Sequence, residues 1–453
     1  MHHCSAWQAA PQEDTGPNAA ILMRPPYFEP VPHNSPLPPA FARLLWSDAL
    51  MVLALMVGPV VIPWWIVHEG GAADLATYGV VVSAVSFLAI PLLSPLGDRF
   101  EKRRLIAWGL AAFALAAAGT ASLATLGHYQ LWVLLSFEVV PVLAMAVIAP
   151  TSASFVAELV PPTRMAEALL RQQTAQALGR MVGPVLGGMV LAATSTALTL
   201  WMYCGLLVAA ALLARQLPVI GVQHKQPVTR AQWWADMRAG VRANWAVPVE
   251  RGWTLVNAVS WVFLFPTFTL LVPLKVQSLG LSALWLGLCE AALSLGMLLG
   301  SLWLAKHWVA WQGRYATRIT AALVQGLALA LAGWASEPVL MVLAFAVAGL
   351  CNAAMVLVGM THRMLARPVA FRARMTAGAI MTTKLAATLG PALAGLALLQ
   401  WSVSAVYISF GLIGALASLA LMAVPGYKAF VALEHHEIEG WYQRAYPKAF
   451  VDA

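Results

Sequence analysis

Gly179-Arg180-Met181-Val182-Gly183-Pro184-Val185-Leu186-Gly187-Gly188 sits inside an apolar run near 166–192. At an offset of 207 residues, Ala386-Ala387-Thr388-Leu389-Gly390-Pro391-Ala392-Leu393-Ala394-Gly395 sits inside another, near 374–398. Both keep a Gly-Pro pair and a later glycine, and Pro161 and Pro368 stand at the same offset, just before each run begins. Proline removes a backbone N–H and bends a helix, while glycine lets a second helix approach closely. A kink element repeated at one offset points to a duplicated chain.

The surrounding sequence extends the duplication. A helix that crosses a bilayer needs about 20 mostly apolar residues. Such runs lie near 45–67, 76–96, 104–126, 130–157, 166–192 and 196–214. After a polar stretch, six more lie near 253–275, 281–305, 316–335, 338–362, 374–398 and 401–424. The Gly-Pro element thus occupies the fifth run of each group of six. Lipid offers no hydrogen-bond partner to a backbone, so spans of this length are helices. The predicted fold is an all-α membrane protein of twelve transmembrane helices in two pseudo-symmetric six-helix bundles. The organisation reads as an arm (1–44, rich in proline), a first bundle (45–214), a central loop (215–250), a second bundle (251–424) and a tail (425–453) with a short amphipathic helix around 429–444.

Composition agrees. Of 453 residues 60% are hydrophobic and only 10% charged, where soluble domains carry about a quarter charged; mean hydropathy is +0.75. This excludes disorder, a disulfide scaffold and an ordinary water-soluble enzyme. Cys4, Cys204, Cys289 and Cys351 have no metal-ligand spacing, and His2-His3-Cys4 is too short a set for a metal site. Neither a phosphate-binding loop nor a hydrolase or metalloprotease motif is present, so no catalytic chemistry and no cofactor are expected. The net charge of +8 invites a nucleic-acid reading, but position removes it. With the N-terminus placed in the cytoplasm, 24 of the 27 basic residues fall on the cytoplasmic side, Lys275 falls opposite, and Arg180 and Lys384 fall inside spans. That asymmetry fixes topology, meets anionic lipid headgroups, and predicts both termini in the cytoplasm.

Charges inside spans are costly and mark functional candidates. Asp48 lies about one turn into the first run; Glu138, Arg180, Glu290 and Lys384 fall near mid-membrane in the fourth, fifth, eighth and eleventh. Three acids against two bases leave one acid without a fixed partner, as a proton carrier needs. The competing reading makes Glu138–Arg180 and Glu290–Lys384 permanent pairs that hold helices together. Trp261 and Trp285 lie far enough inside their runs to line a cavity. Trp64, Trp65, Trp132, Trp201, Trp253, Trp334 and Trp401 lie near run ends and read as interfacial belt residues.

The loop after the second run, Ser94-Pro95-Leu96-Gly97-Asp98-Arg99-Phe100-Glu101-Lys102-Arg103-Arg104, resembles the signature loop of the major facilitator superfamily, with Ser94 and Glu101 replacing its two glycines. Gly179, Gly183, Pro184, Gly187 and Gly188 match that family's antiporter motif in full. Segment 158–188 is similar to the enterobactin-exporter and macrolide-efflux branch, and the resemblance spans about residues 40–425. It implies two bundles around a cavity that opens alternately to each side, with Asp98, Arg99 and Arg103 in a cytoplasmic latch. The function it implies is a secondary transporter: a proton-coupled exporter, acting as a monomer, of a small amphipathic molecule such as a siderophore or drug. An importer, a carrier of metal ion or lysophospholipid, and a non-transporting membrane sensor or scaffold stand as alternatives.

Overall fold

The computed structural model describes residues 38–93, 100–161, 164–219 and 230–450. Among them there is no strand. A helical stretch Pro39–Leu93 is broken at Gly71, whose φ of 72° is open to glycine at little cost, so it is read as α1 (39–70) and α2 (72–93). Then follow α3 (Lys102–Thr125), α4 (Leu131–Leu159), α5 (Met165–Ala193) and α6 (Thr196–Arg215). The polar stretch contains α7 (Arg230–Ala246). The second half has α8 (Pro248–Thr269), bent by 41° into α9 (Leu271–Ser278). Next, α10 (Ala283–Leu299) passes through a π-helical turn, Gly300–Leu304, and runs on to a break at Gly313 (φ 79°). After it come α11 (314–334), α12 (Pro338–Ala366), α13 (Val369–Leu398) and α14 (Val403–Leu419).

Among the described residues nine helical stretches are long and apolar enough to cross a membrane, ten if the bent pair α8–α9 is one span. Two of these, 51 and 52 residues long, each hold a glycine break; divided there, the count is consistent with twelve. Apolar side chains cover most of the surface of these stretches, as suits a helix between lipid and protein. Trp132, Trp334 and Trp401 are exposed at helix ends, as belt residues should be. Trp65 and Trp253 are not belt residues. They are 5% and 1% exposed, packed edge-on against Tyr129 and Tyr427. Proximity to a run end gave no sign that other segments fold over them.

The repeated Gly-Pro element explains how the halves meet. In the first half α5 packs on α1: a Cβ at Gly183 would stand 2.5 Å from Met56 Cβ, and one at Gly179 would stand 3.0 Å from Val52 Cγ1. In the second half α13 packs on α8: a Cβ at Gly390 would stand 2.6 Å from the Val262 carbonyl oxygen. The prolines face across the halves. A Cβ at Gly287 of α10 would stand 2.3 Å from the Pro184 oxygen, and one at Gly79 of α2 would stand 3.1 Å from Pro391 Cβ. Gly188 meets Ala283 of α10, and Gly395, at the equivalent position, meets Ala76 of α2. Each fifth helix therefore touches the first helix of its own half and the second helix of the other. The duplication seen in the sequence is a two-fold relation between two seams.

Close backbone approach of this kind leaves no room for a methyl group. Gly287→Ala is expected to cost about 1–3 kcal/mol by forcing α10 from α5. Gly205→Ala, where nothing lies within 4 Å of the added carbon, is expected to be neutral or stabilising by up to about 1 kcal/mol. Thermal unfolding of the purified variants in one detergent checks both signs.

Downstream of α14 the chain does not form one amphipathic helix around 429–444. It breaks into α15 (Tyr427–Ala432), α16 (His435–Ile438) and α17 (Trp441–Ala445), with Gly426 just before α15 and Gly440 just before α17 in left-handed conformations. Tyr427, Phe430, Val431, Ile438 and Tyr442 are fully buried against α8 and α12. The Gly440 N–H donates to the Leu365 carbonyl, and Arg314 donates to that of Leu433.

Candidate functional site

A cavity of about 340 Å³ lies between the halves. The first half supplies Tyr78, Glu138, Pro141 and Tyr203 to its walls; the second supplies Phe265, Phe268, Glu290 and Pro391. Toward the Gly71 end the two halves share one apolar core, in which Trp65, Ile66 and Leu75 join Leu271, Val272 and Ala283. There Gln277 donates to the Trp64 carbonyl at 2.9 Å. That end is closed by direct contact.

Glu138 and Glu290, read from sequence as isolated charges, stand on the walls of this one cavity. Glu138 is 5% exposed and accepts hydrogen bonds from Thr120 at 3.2 Å and, at 3.4 Å, from Tyr78. Glu290 has no hydrogen-bond or ion-pair partner among the described residues. Arg180 is exposed and Lys384 half-buried. Neither lines the cavity, and neither forms an ion pair among the described residues. A carboxyl group in an apolar cavity without a cation is accommodated by carrying a proton or by contacting a positively charged ligand.

The remaining candidates stand elsewhere. Asp48 is buried within the first half and accepts hydrogen bonds from Ser152 of α4 at 2.9 Å and Gln172 of α5; it ties three helices together away from the cavity wall. Trp285 packs beside the shared core. Trp261 stands between two cavities: its ring is 6.3 and 6.4 Å from those of Phe265 and Phe268, while it lines the cavity described next. Asp98 and Arg99 lie outside the described residues. Arg103 is half-buried at the start of α3. Its neighbour Lys102 pairs with Glu158 of α4 at 2.5 Å, and Arg104 pairs with Glu101 at 2.7 Å. Both pairs lie within the first half.

A second cavity, of about 450 Å³, lies inside the second half among α8, α11, α12, α13 and α14. Arg318, Arg363 and Arg367 are on its walls. In the sequence these three fall among the basic residues that set topology. Arg363, in the last turn of α12, and Arg367, just past its end, instead converge on Glu250 at the start of α8, at 2.6 and 2.5 Å. Glu250 is fully buried and also accepts from the Tyr442 hydroxyl of the tail at 2.7 Å. Burial, and after it the Glu250 charge, hold that hydroxyl well above the ordinary phenol range, so it stays a donor. The i, i+4 arginines facing one acid were the available signal; the tail tyrosine had none.

The family model of the Major Facilitator Superfamily matches residues 45–323. No curated protein sequence matches the chain. A solved peptide transporter, POT, superposes with a TM-score of 0.69 at 14% identity, covering 87% of this chain and 96% of that one. The nucleoside transporter NupG superposes at 0.64 and 13% identity, covering 85% and 100%. A bacterial homologue of the human lysosomal transporter Spinster, in an inward-facing and unoccupied conformation, superposes at 0.60 and 14%, covering 90% and 97%. At such identities the likeness is one of fold.

Proposed function

The chain belongs to the Major Facilitator Superfamily, and from that premise we propose that it is a proton-coupled exporter of small amphipathic cations across a bacterial inner membrane. Members of this family are transporters rather than enzymes. One observation carries the finer reading: carboxyl groups from the two halves, Glu138 and Glu290, line one largely apolar cavity whose described walls hold no basic side chain. Aromatic walls and two acids favour a cation with an apolar body over an anionic siderophore. A wall built from both halves is taken apart when the halves rock, so each acid meets one aqueous phase and then the other. With the basic residues and both termini on the cytoplasmic side, the closed Gly71 end is the outer end, and the described state faces inward. Export then follows if a proton entering from outside displaces the cation, each being held by the same carboxylates.

The test is a proteoliposome assay. Purified protein is reconstituted, a proton gradient is imposed, and movement of a fluorescent lipophilic cation is followed. Uphill cation movement opposite to proton flow is expected, together with alkalinisation of the opposite compartment when cation is added to one side without an imposed gradient. Cation movement unaffected by the gradient overturns the coupling.

A further inference from the structure

We propose that the cavity inside the second half is a separate binding site for an amphipathic organic anion, carrying a carboxylate or phosphate, with Arg318 as its principal anion-binding group. Arg318 is 6% exposed. One of its nitrogens, Nη2, donates to Asn257 at 2.8 Å, and the guanidinium lies 6.0 Å from the Trp253 ring centre. Its Nε and Nη1 are buried with no hydrogen-bond partner among the described residues.

The same cavity shows how this fold treats a buried guanidinium that it uses for structure. Arg363 and Arg367 share the Glu250 carboxylate and also bond Thr254 and Thr376, and only the Nε of Arg367 is buried there without a partner among the described residues. Two cations on one anion already leave a positive excess, and Arg318 has no carboxylate at all. A buried guanidinium with unmade hydrogen bonds is costly. The planar fork of arginine suits the paired oxygens of a carboxylate or phosphate. Arg318 lines the cavity, so an oxyanion entering there meets two free donor nitrogens and a net positive wall.

The remainder of the cavity sets the rest of the ligand. Away from the arginines it is lined by Leu264, Met355, Val356 and the ring of Trp261. Its volume lies within the range of small-molecule sites. A ligand with an anionic head and an apolar body fits this division; a bare inorganic ion leaves most of the space unused. The acidic central cavity repels the same ligand, so the two cavities select opposite charges.

The experiment measures binding of radiolabelled 1-naphthyl phosphate to the full chain in nanodiscs of phosphatidylcholine, with neutral 1-naphthol as the comparison. Saturable binding near one per chain is expected, weakened at least tenfold in Arg318→Gln and partly kept in Arg318→Lys. Equal binding by Arg318→Gln and the parent, or equally tight binding of 1-naphthol, overturns the site. Should Arg318→Gln fail to fold, Thr383→Cys, on the part of the cavity wall that α13 supplies, in a Cys4→Ser background, tests the site independently. Its thiol is expected to react faster with an anionic methanethiosulfonate than with a cationic one, relative to a free thiol; the reverse order overturns the proposal. Repeating the binding with phosphatidylglycerol in the discs separates sources. Loss of naphthyl phosphate binding there, with phosphatidylglycerol retained by the parent but not by Arg318→Gln in native mass spectrometry, assigns a lipid headgroup. Unchanged binding assigns a soluble anion. Both results support the site.

Discussion

Glu290→Gln is expected to abolish cation accumulation driven by a proton gradient, leaving only slow downhill movement that no longer depends on pH. Glu290 lines the central cavity with no partner among the described residues, so its carboxylate is the group with most to gain from a bound cation. A contact to a charged group contributes about 1.5–3 kcal/mol, and its loss weakens apparent cation affinity roughly ten- to a hundredfold. Glu138→Gln is expected to act in the same direction but less steeply. Its carboxyl is already held by Thr120 and Tyr78, and glutamine can keep one of those hydrogen bonds. Tyr78→Phe should then move Glu138 function toward that of Glu290 by removing a competing donor, seen as tighter cation binding. Asp48→Asn separates coupling from structure. Because Asp48 bonds Ser152 and Gln172 inside the first half, its replacement is expected to lower thermal stability by about 1–3 kcal/mol and leave the pH dependence intact. The assay is gradient-driven uptake in proteoliposomes at equal protein content. Wild-type pH dependence in both Glu138→Gln and Glu290→Gln would remove the acids from the mechanism.

What the sequence could reveal followed the range of the interaction involved. The apolar runs are set by lipid, which acts on every residue of a span, so fold class was readable from composition and run length. The Gly-Pro repeat was readable because close helix approach demands particular residues at particular positions. Which helix each glycine touches was not, since α5 meets α10 across about a hundred residues of chain and nothing local records it. Charge carried the least positional information. Glu138 and Glu290 stood out as acids in oil, yet the basic residues paired with them by arithmetic, Arg180 and Lys384, lie off the wall of the cavity. Conversely Arg318, Arg363 and Arg367 looked like ordinary residues of the basic side, because an arginine at the end of an apolar run serves topology as readily as it serves a buried site. Trp65 and Trp253 show the same limit: a ring near a span end is a lipid anchor until another segment folds over it.

The paired seams make a stronger demand on the alternating-access reading than any single acid. If the halves rock about the α5–α10 and α2–α13 contacts, the Gly71 end has to open, and a covalent bond across α2–α13 near that end must stop it. Ala76 and Gly395 are the positions to join, since a Cβ at Gly395 would stand 2.6 Å from Ala76 Cβ. Disulfides usually need about 3.5–4.5 Å between such atoms, so the helices have to part by roughly an ångström to admit the bond. The double variant Ala76→Cys with Gly395→Cys is therefore expected to be somewhat destabilised when reduced, yet folded and active, and to cross-link readily on mild oxidation. Oxidised, it is expected to lose transport more than tenfold while still binding cation from the side that stays open. Dithiothreitol should restore the reduced rate. A structural brace alone would leave transport unchanged or improved on oxidation. Full transport by the cross-linked protein would mean that the Gly71 end does not open between these helices, and that the symmetry of the two seams serves assembly rather than movement.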